Sequence, residues 1–363
     1  MKVIISGGGT GGHIFPAIAI ANALKKIDEK TEILFVGAEG RMEMEKIPAA
    51  GYKIEGLWIS GLQRRWTIDN LFFPFKVISS IMKSKKIIRS FGPDVAVGTG
   101  GFASGPLLRV ATSANIPTLI QEQNSFPGIT NKLLGGRVNK ICVAYETMEK
   151  YFPKEKIIVT GNPVRQDILS LEGKRVEAMK FFGLNPEKKT LLVVGGSLGA
   201  RTINESIAGC LELLTKNNIQ IVWQTGKGYI ETAEKIFNKS NGWVGAFITR
   251  MDLAYSCADI VVSRAGAIAL SELAIVNKPC ILVPSPNVAE DHQAKNAMAL
   301  TKHEAAILVK DIEAREKLGA EIISLMNDSK KQNNLSENIS RLAFPNAAEV
   351  IAKEVIKLVQ DRQ

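Results

Sequence analysis

Only four cysteines and three histidines occur in 363 residues, so thiol and imidazole chemistry is confined to a few positions. Cys142, Cys210, Cys257 and Cys280 are widely separated and form no Cys-x-x-Cys pair. That excludes a zinc ribbon and a disulfide framework and predicts free thiols in a reducing compartment. No uninterrupted apolar run of about 18 residues occurs, so no membrane-spanning helix is predicted. The segment Met1–Gly7 lacks the apolar core of a signal peptide and reads as a first strand. The net charge of +10 calls for an anionic partner, whether nucleotide, nucleic acid or membrane surface. Aromatic residues make up only 6%, and none are set among basic residues on strands. With no helix-turn-helix pattern either, a nucleic-acid partner is not expected.

What remains is an ordinary soluble composition, 45% apolar and 23% charged, in a chain long enough for two cores. Short apolar runs alternate with helical patterns throughout, the signature of a parallel α/β architecture. One series of predicted strands comprises Val3–Ser6, Ile33–Val36, Val95–Val97, Thr118–Ile120, Lys140–Val143 and Ile157–Val159. A second comprises Thr190–Val194, Ile219–Trp223, Ile260–Ser263, Cys280–Val283 and Ala306–Val309. Each series opens with a strand that runs into a glycine-rich turn, which predicts two Rossmann-like domains facing a cleft. The turn-forming cluster at Gly161–Arg165 marks the boundary, giving domains of 1–163 and 164–343. Pro345 breaks a helical pattern that resumes at Ala347, so residues 344–363 are expected to pack back on the first domain.

The first glycine turn, Gly7-Gly8-Gly9-Thr10-Gly11-Gly12, ends at His13. Glycines let a backbone approach a ligand closely, and the helix start behind them favours an anion. His13 beside such a loop points to a general base in an enzyme acting on a phosphorylated substrate. The pattern also satisfies the dinucleotide fingerprint, but that reading wants an acidic residue closing the second strand. Here the strand ends Val36-Gly37-Ala38 and Glu39 comes late, which disfavours a nicotinamide dehydrogenase. A third glycine turn, Gly98–Pro106, would serve a bulky pyrophosphate-bearing ligand better. In the second half, a helix predicted to begin near Ala267 offers free amides to a diphosphate. Glu272, a turn and a half in, suits the vicinal hydroxyls of a ribose, or else is a solvated helix residue.

Taken together, Gly7–His13, Gly98–Pro106, Gln121–Asn124, Thr160–Arg165, Gly195–Arg201, Ser263–Glu272 and His292–Ala297 resemble a known family. It is glycosyltransferase family 28, the bacterial UDP-N-acetylglucosamine transferases that convert lipid I to lipid II in peptidoglycan synthesis. The resemblance spans nearly the whole chain and implies the two-domain glycosyltransferase B fold, with the sugar nucleotide held mainly by the C-terminal domain. It implies that Thr10, Gly11 and Gly12 lie near the sugar and diphosphate and that Asn124 contacts the N-acetylglucosamine. Arg165 and Ser197 would bind phosphate, and the Ile248 backbone would read the uracil edge. Ala267, Ile268, Ala269, Leu270, Ser271 and Glu272 would hold diphosphate and ribose, and Gln293 the donor sugar. The chain departs from the family pattern at Gln121, where a histidine is usual, and at Phe102, where a tyrosine is common.

The implied reaction is an inverting displacement in which the 4-hydroxyl of the acceptor N-acetylmuramyl unit attacks the anomeric carbon and UDP leaves. His13 is the expected base, with an ordinary pKa near 6.5, and Glu122 is the reserve. The chain contains no Asp-x-Asp motif; helix amides, Ser197 and Arg165 would stabilise the leaving diphosphate, so neither metal nor cofactor is expected. The acceptor lipid requires contact with the bilayer. Leu62, Trp66, Leu71, Phe72, Phe73 and Phe75, followed by Lys83, Lys85, Lys86 and Arg89, suit an anionic membrane surface or, equally, core packing of a helix with a basic face. The family tips this toward docking, peripheral and on the cytoplasmic face of the inner membrane. Transfer to another lipid acceptor and UDP-N-acetylglucosamine 2-epimerisation are the alternatives.

Overall fold

A computed structural model describes residues 1–61, 72–196, 198–288 and 291–362. Leu62, Trp66, Leu71 and Ser197 lie outside the described residues. The chain divides into two compact units, Met1–Val164 with Pro345–Gln363, and Arg165–Phe344.

The first unit is built on seven parallel strands: β1 Lys2–Gly7, β2 Glu32–Ala38, β3 Lys53–Leu57, β4 Val95–Gly100, β5 Thr118–Glu122, β6 Lys140–Val143 and β7 Ile157–Val159. Their spatial order is β3-β2-β1-β4-β5-β6-β7. Helices α1 Gly11–Ile27, α2 Glu43–Ala49, α3 Phe73–Phe91, α4 Ser104–Ser113 and α5 Ile129–Gly135 connect them. The strands are near-continuous apolar runs because helices cover both faces of a parallel sheet. Val3, Ile5, Val95 and Val97 pack with Ala17 and Ile20 in one cluster, and Ile4, Ala96, Ile120 and Ile141 with Leu107 in another.

In the second unit six parallel strands, β8 Lys189–Val194, β9 Ile219–Gln224, β10 Gly242–Gly245, β11 Ile260–Ser263, β12 Cys280–Leu282 and β13 Ile307–Leu308, take the order β10-β9-β8-β11-β12-β13. The helices are α6 Arg175–Phe182, α7 Arg201–Lys216, α8 Ile230–Ile236, α9 Met251–Cys257, α10 Ala267–Ile275, α11 His292–Thr301, α12 Ala314–Asn327 and α13 Ser329–Ser340. The last helix, α14 Ala347–Gln360, belongs to the first unit. There Ile351, Ala352 and Val355 enter the cluster that holds Ala17, Ile20 and Leu24 of α1.

Two strands escaped the sequence reading, β3 and β10. Both are edge strands, and their sequences, Lys-Ile-Glu-Gly-Leu and Gly-Trp-Val-Gly, have no apolar run because only one neighbour covers them. All four cysteines are buried and free, and burial pushes the Cys142, Cys257 and Cys280 thiols up to about 12, so they are unreactive near neutral pH.

Candidate functional site

Strand order locates the site in each unit. In an open parallel sheet, ligands bind beyond the carboxyl ends of the strands where the winding direction reverses. In the first unit that point lies between β1 and β4, and the two glycine turns, Gly7–His13 and Gly98–Pro106, follow these two strands. The turns touch: the Gly8 N–H donates to the Gly100 carbonyl at 3.4 Å, and a Cβ on Gly101 would fall 2.3 Å from the Gly8 oxygen.

His13 stands in the first turn of α1. The Thr99 hydroxyl donates to its backbone carbonyl at 2.8 Å, and its Nδ1 lies 3.0 Å from the Gly8 carbonyl oxygen. A carbonyl only accepts, so Nδ1 carries the proton and Nε2 is the basic nitrogen. Nε2 faces the second glycine turn. Gly100 has φ +98, and a Cβ there would lie 3.0 Å from Nε2, so glycine is required both for conformation and for space. Burial holds the imidazole pKa below the usual 6.5, opposed by Glu122, by the Gly8 hydrogen bond and by Glu43. Thr10 caps no amide with its side chain, and no acidic residue occupies the first turn of α1. The Thr10, Gly11 and Gly12 start is thus left with its amides for an anion.

Glu122, at the end of β5, is almost fully buried. One oxygen accepts from the Asn124 N–H at 3.0 Å and the Asn124 side chain at 3.2 Å. The other accepts from the Gly128 N–H at 3.1 Å and Asn131 Nδ2 at 2.9 Å. With four donors, this carboxylate shapes the turn into α5, and Asn124 is held beside it. Gln121 is fully buried; it donates to Asn162 Oδ1 at 2.9 Å and accepts from Gln123, which donates to the Thr99 carbonyl at 2.8 Å. Gln121 is thus a member of a buried amide network and supplies neither acid nor base. Phe102, 44% exposed, lies against Gly9 and Gly61.

In the second unit the winding reverses between β8 and β11. A concavity of about 380 Å³ opens over the ends of these strands, lined by Gly195, Gly196, Ser263, Arg264, Ala269 and Gln293 among others. Helices α7 and α10 start there, neither with a side-chain cap or an acidic first turn. Ala267, Ile268, Ala269, Leu270 and Ser271 form the opening turn of α10, where Ala267 and Leu270 face inward. Gln293 holds the loop after β12, its Oε1 accepting from the Ser285 N–H at 2.9 Å. The Ile248 side chain is buried, and its N–H donates to Gln224 Oε1 at 2.9 Å. Any reading of a base edge by this residue therefore falls to its carbonyl.

Glu272 accepts from the Tyr255 hydroxyl at 3.0 Å. Burial pushes its carboxyl up to about 7, with Arg165 and the Tyr255 hydroxyl pulling the other way. Arg165 makes a bidentate pair with Asp167, both contacts 2.6 Å, which fixes the plane of its guanidinium. Sequence reasoning missed several of these partners. Tyr255 orients Glu272, and Gln224 joins Ile248 to the Gly196 carbonyl, to which it donates at 3.0 Å. Asp311 receives Arg264 and the Thr202 hydroxyl, the latter at 2.9 Å. Among the described residues no three His, Cys, Asp or Glu side chains gather as a metal site.

Helix α3 has one buried face and one exposed face. Ser80, Ser84, Ile87 and Ile88 are buried, and Phe73 is half-buried. Phe72, Phe75, Ile78 and Met82, spaced along one side, are 47%, 63%, 57% and 66% exposed. Lys85, Lys86 and Arg89 line a shallow concavity beside Met82. No helix among the described residues is long and apolar enough to cross a membrane.

These two doubly wound units, each with phosphate-compatible turns at its switch point, define a nucleotide-binding α/β protein of the glycosyltransferase B type. The N-terminal domain model of glycosyltransferase family 28 matches residues 3–143 and its C-terminal domain model residues 190–351; the chain belongs to this family. It is 56% identical over 362 residues to the UDP-N-acetylglucosamine–N-acetylmuramyl-(pentapeptide) pyrophosphoryl-undecaprenol N-acetylglucosamine transferase of Flavobacterium psychrophilum, covering 100% of this chain and 99% of that one. The similarly named protein of Cytophaga hutchinsonii is 56% identical over 358 residues, 99% and 97% of the two chains. Among solved structures, Acinetobacter baumannii MurG superposes with a TM-score of 0.77 at 26% identity over 98% of this chain and 99% of that one. A UDP-GlcNAc 2-epimerase from Neisseria meningitidis reaches 0.68 at 15% identity over 98% and 100%, a likeness of fold alone.

Proposed function

We propose that the protein transfers N-acetylglucosamine from UDP-N-acetylglucosamine to the 4-hydroxyl of the N-acetylmuramyl unit of lipid I, giving lipid II and UDP. The carrying observation is the full-length identity of 56% to a protein named for this transfer. The glycine turn that presents His13 Nε2 supports it from the side of the chemistry. The epimerase alternative has only a fold likeness at 15% identity behind it.

In this reading the second unit holds the donor. The free amides of α10, with Arg165 and Ser197, receive the diphosphate; Glu272 accepts from the ribose hydroxyls, and Gln293 contacts the sugar. His13 Nε2 removes the acceptor hydroxyl proton as the oxygen's electron pair forms the bond to the anomeric carbon. The bond from that carbon to the UDP oxygen breaks, and its pair leaves with UDP. The other ring proton stays on Nδ1 throughout, donated to the Gly8 carbonyl. Glu122, saturated with four donors, shapes the turn that carries Asn124, which leaves His13 the better-placed base. UDP release should depend on a lipid I analogue and persist in EDTA; release without acceptor, or loss of it on chelation, would overturn the transferase or the metal-free reading respectively.

Docking by the outward stripe of α3 completes the reading, placing the protein peripherally on the cytoplasmic face of the membrane. Phe75, Ile78 and Met82 changed together to serine should lower sedimentation with phosphatidylglycerol-containing vesicles by more than about tenfold, since each apolar side chain withdrawn from water is worth roughly 1.5–3 kcal/mol. Because all three are exposed, the melting temperature should not fall. Unchanged sedimentation would remove α3 from the docking surface.

A further inference from the structure

We propose that Glu43 is a positioning residue for His13, acting through the Gly8–Gly9 peptide as a carboxylate–peptide–imidazole relay. Glu43, the first residue of α2, is fully buried. Its Oε2 accepts from the Gly9 N–H at 2.9 Å and its Oε1 from the Ala38 N–H, at the end of β2, at 3.0 Å. The Gly9 N–H belongs to the same peptide group as the Gly8 carbonyl, which accepts from His13 Nδ1 at 3.0 Å. In a trans peptide these two groups point in opposite directions. The carboxylate on one side therefore orients and polarises the carbonyl on the other.

Two glycines make room for this carboxylate. A Cβ on Gly8 would lie 2.1 Å from Glu43 Oε1, and one on Gly37 2.6 Å from its Cγ. The close of β2, Val36-Gly37-Ala38, carries no carboxylate of its own, and Glu43 reaches back from α2 to fill that place. There it binds the loop instead of being presented to a ligand.

The consequence for chemistry is specific. With Nδ1–H held on a polarised carbonyl, Nε2 is fixed as the accepting nitrogen. The imidazolium formed when Nε2 gains a proton is stabilised by the negative charge beyond the peptide. No proton moves to Glu43. The charged groups that act on the ring are Glu43 from α2 and Glu122 from β5; Glu122 is engaged with the turn into α5, so Glu43 alone is coupled to the ring through a hydrogen-bonded path.

The inference rests on His13 as the base, and the test separates the two. With only three histidines in the chain, the His13 ring can be followed by ¹⁵N NMR in the full-length protein, its signals assigned by their loss in His13→Ala. In wild type the Nδ1–H tautomer should dominate. In Glu43→Gln the amide NH₂ opposes one of the two backbone N–H groups, and the charge is gone. The ring should then titrate at lower pH with a mixed tautomer, and kcat should fall about 10–100-fold, as for other orienting partners, with its acid limb displaced the same way. Glu43→Asp, which keeps the charge, should recover part of both. Gly8→Ala, which drives a methyl into the carboxylate, should reproduce the tautomer change should Glu43→Gln fail to fold. An unaltered His13 titration in the folded variant overturns the relay, whatever happens to activity. An altered titration with unaltered kcat keeps the relay and removes His13 as the base.

Discussion

His13→Ala should lower kcat by roughly 10²–10⁴-fold, the usual contribution of a positioned general base, while UDP binding to the second unit stays within about threefold of wild type, because no residue of that unit is changed. The pH profile tests the same assignment. Burial lowers the His13 pKa below the ordinary 6.5, so the neutral, proton-accepting imidazole persists on acidification. The acid limb of kcat should therefore lie below pH 6.5 in wild type and vanish in the variant. Steady-state UDP release with a lipid I analogue between pH 5 and 8 measures both. A variant that keeps the wild-type rate and limb would exclude His13 and return the base to another group.

The second large effect is expected at Glu272, where function and stability pull in opposite directions. Its carboxyl is raised from the usual 4.5 to about 7 by burial, so the folded state binds its proton more tightly than the unfolded chain does. Stability therefore falls as pH rises from about 4.5 to about 7 and levels off above that. The full shift corresponds to at most about 3 kcal/mol. Glu272→Gln keeps an acceptor for the Tyr255 hydroxyl and carries no charge to desolvate. It should melt at about the wild-type temperature near pH 4.5 and several degrees higher at pH 8, at roughly 2–4 °C per kcal/mol for a unit of this size. The donor KM should rise about 10–100-fold, because hydrogen bonds to a charged acceptor are worth about 1.5–3 kcal/mol. In wild type the same KM should climb as pH drops below 7 and the carboxylate protonates. A Glu272→Gln protein with unchanged donor KM would remove Glu272 from the ribose site; one that melts lower at pH 8 would contradict the burial argument.

Much of the architecture is legible in the sequence because its signals are local. Glycines that follow an apolar strand and precede a helix mark the turns after β1, β4 and β8, and apolar runs mark the interior strands together with edge strands β7 and β13. Edge strands β3 and β10 escape because one uncovered side admits Lys53, Glu55, Gly242 and Gly245. The candidate residues His13 and Glu272 are visible because each follows a glycine turn at a helix start, where backbone geometry limits what a side chain can reach.

Their partners are not visible. Glu43 lies in Arg41-Met42-Glu43-Met44-Glu45-Lys46, where one carboxylate of two goes inside, and nothing in the spacing distinguishes it from a solvated neighbour. Tyr255 and Gln224 look like ordinary members of a short buried helix and a strand, and Asp311 like a loop residue. The chain by itself determined the two α/β halves, the turns at their switch points and the side chains these turns present, since backbone conformation and burial pattern are set by neighbours in sequence. Which carboxylate reaches the Gly8–Gly9 peptide, which hydroxyl meets Glu272 and how completely Glu122 is occupied were decided by tertiary structure. Hydrogen bonds between groups 17 to 34 residues apart depend on how helices settle on a sheet, and local periodicity carries no record of it.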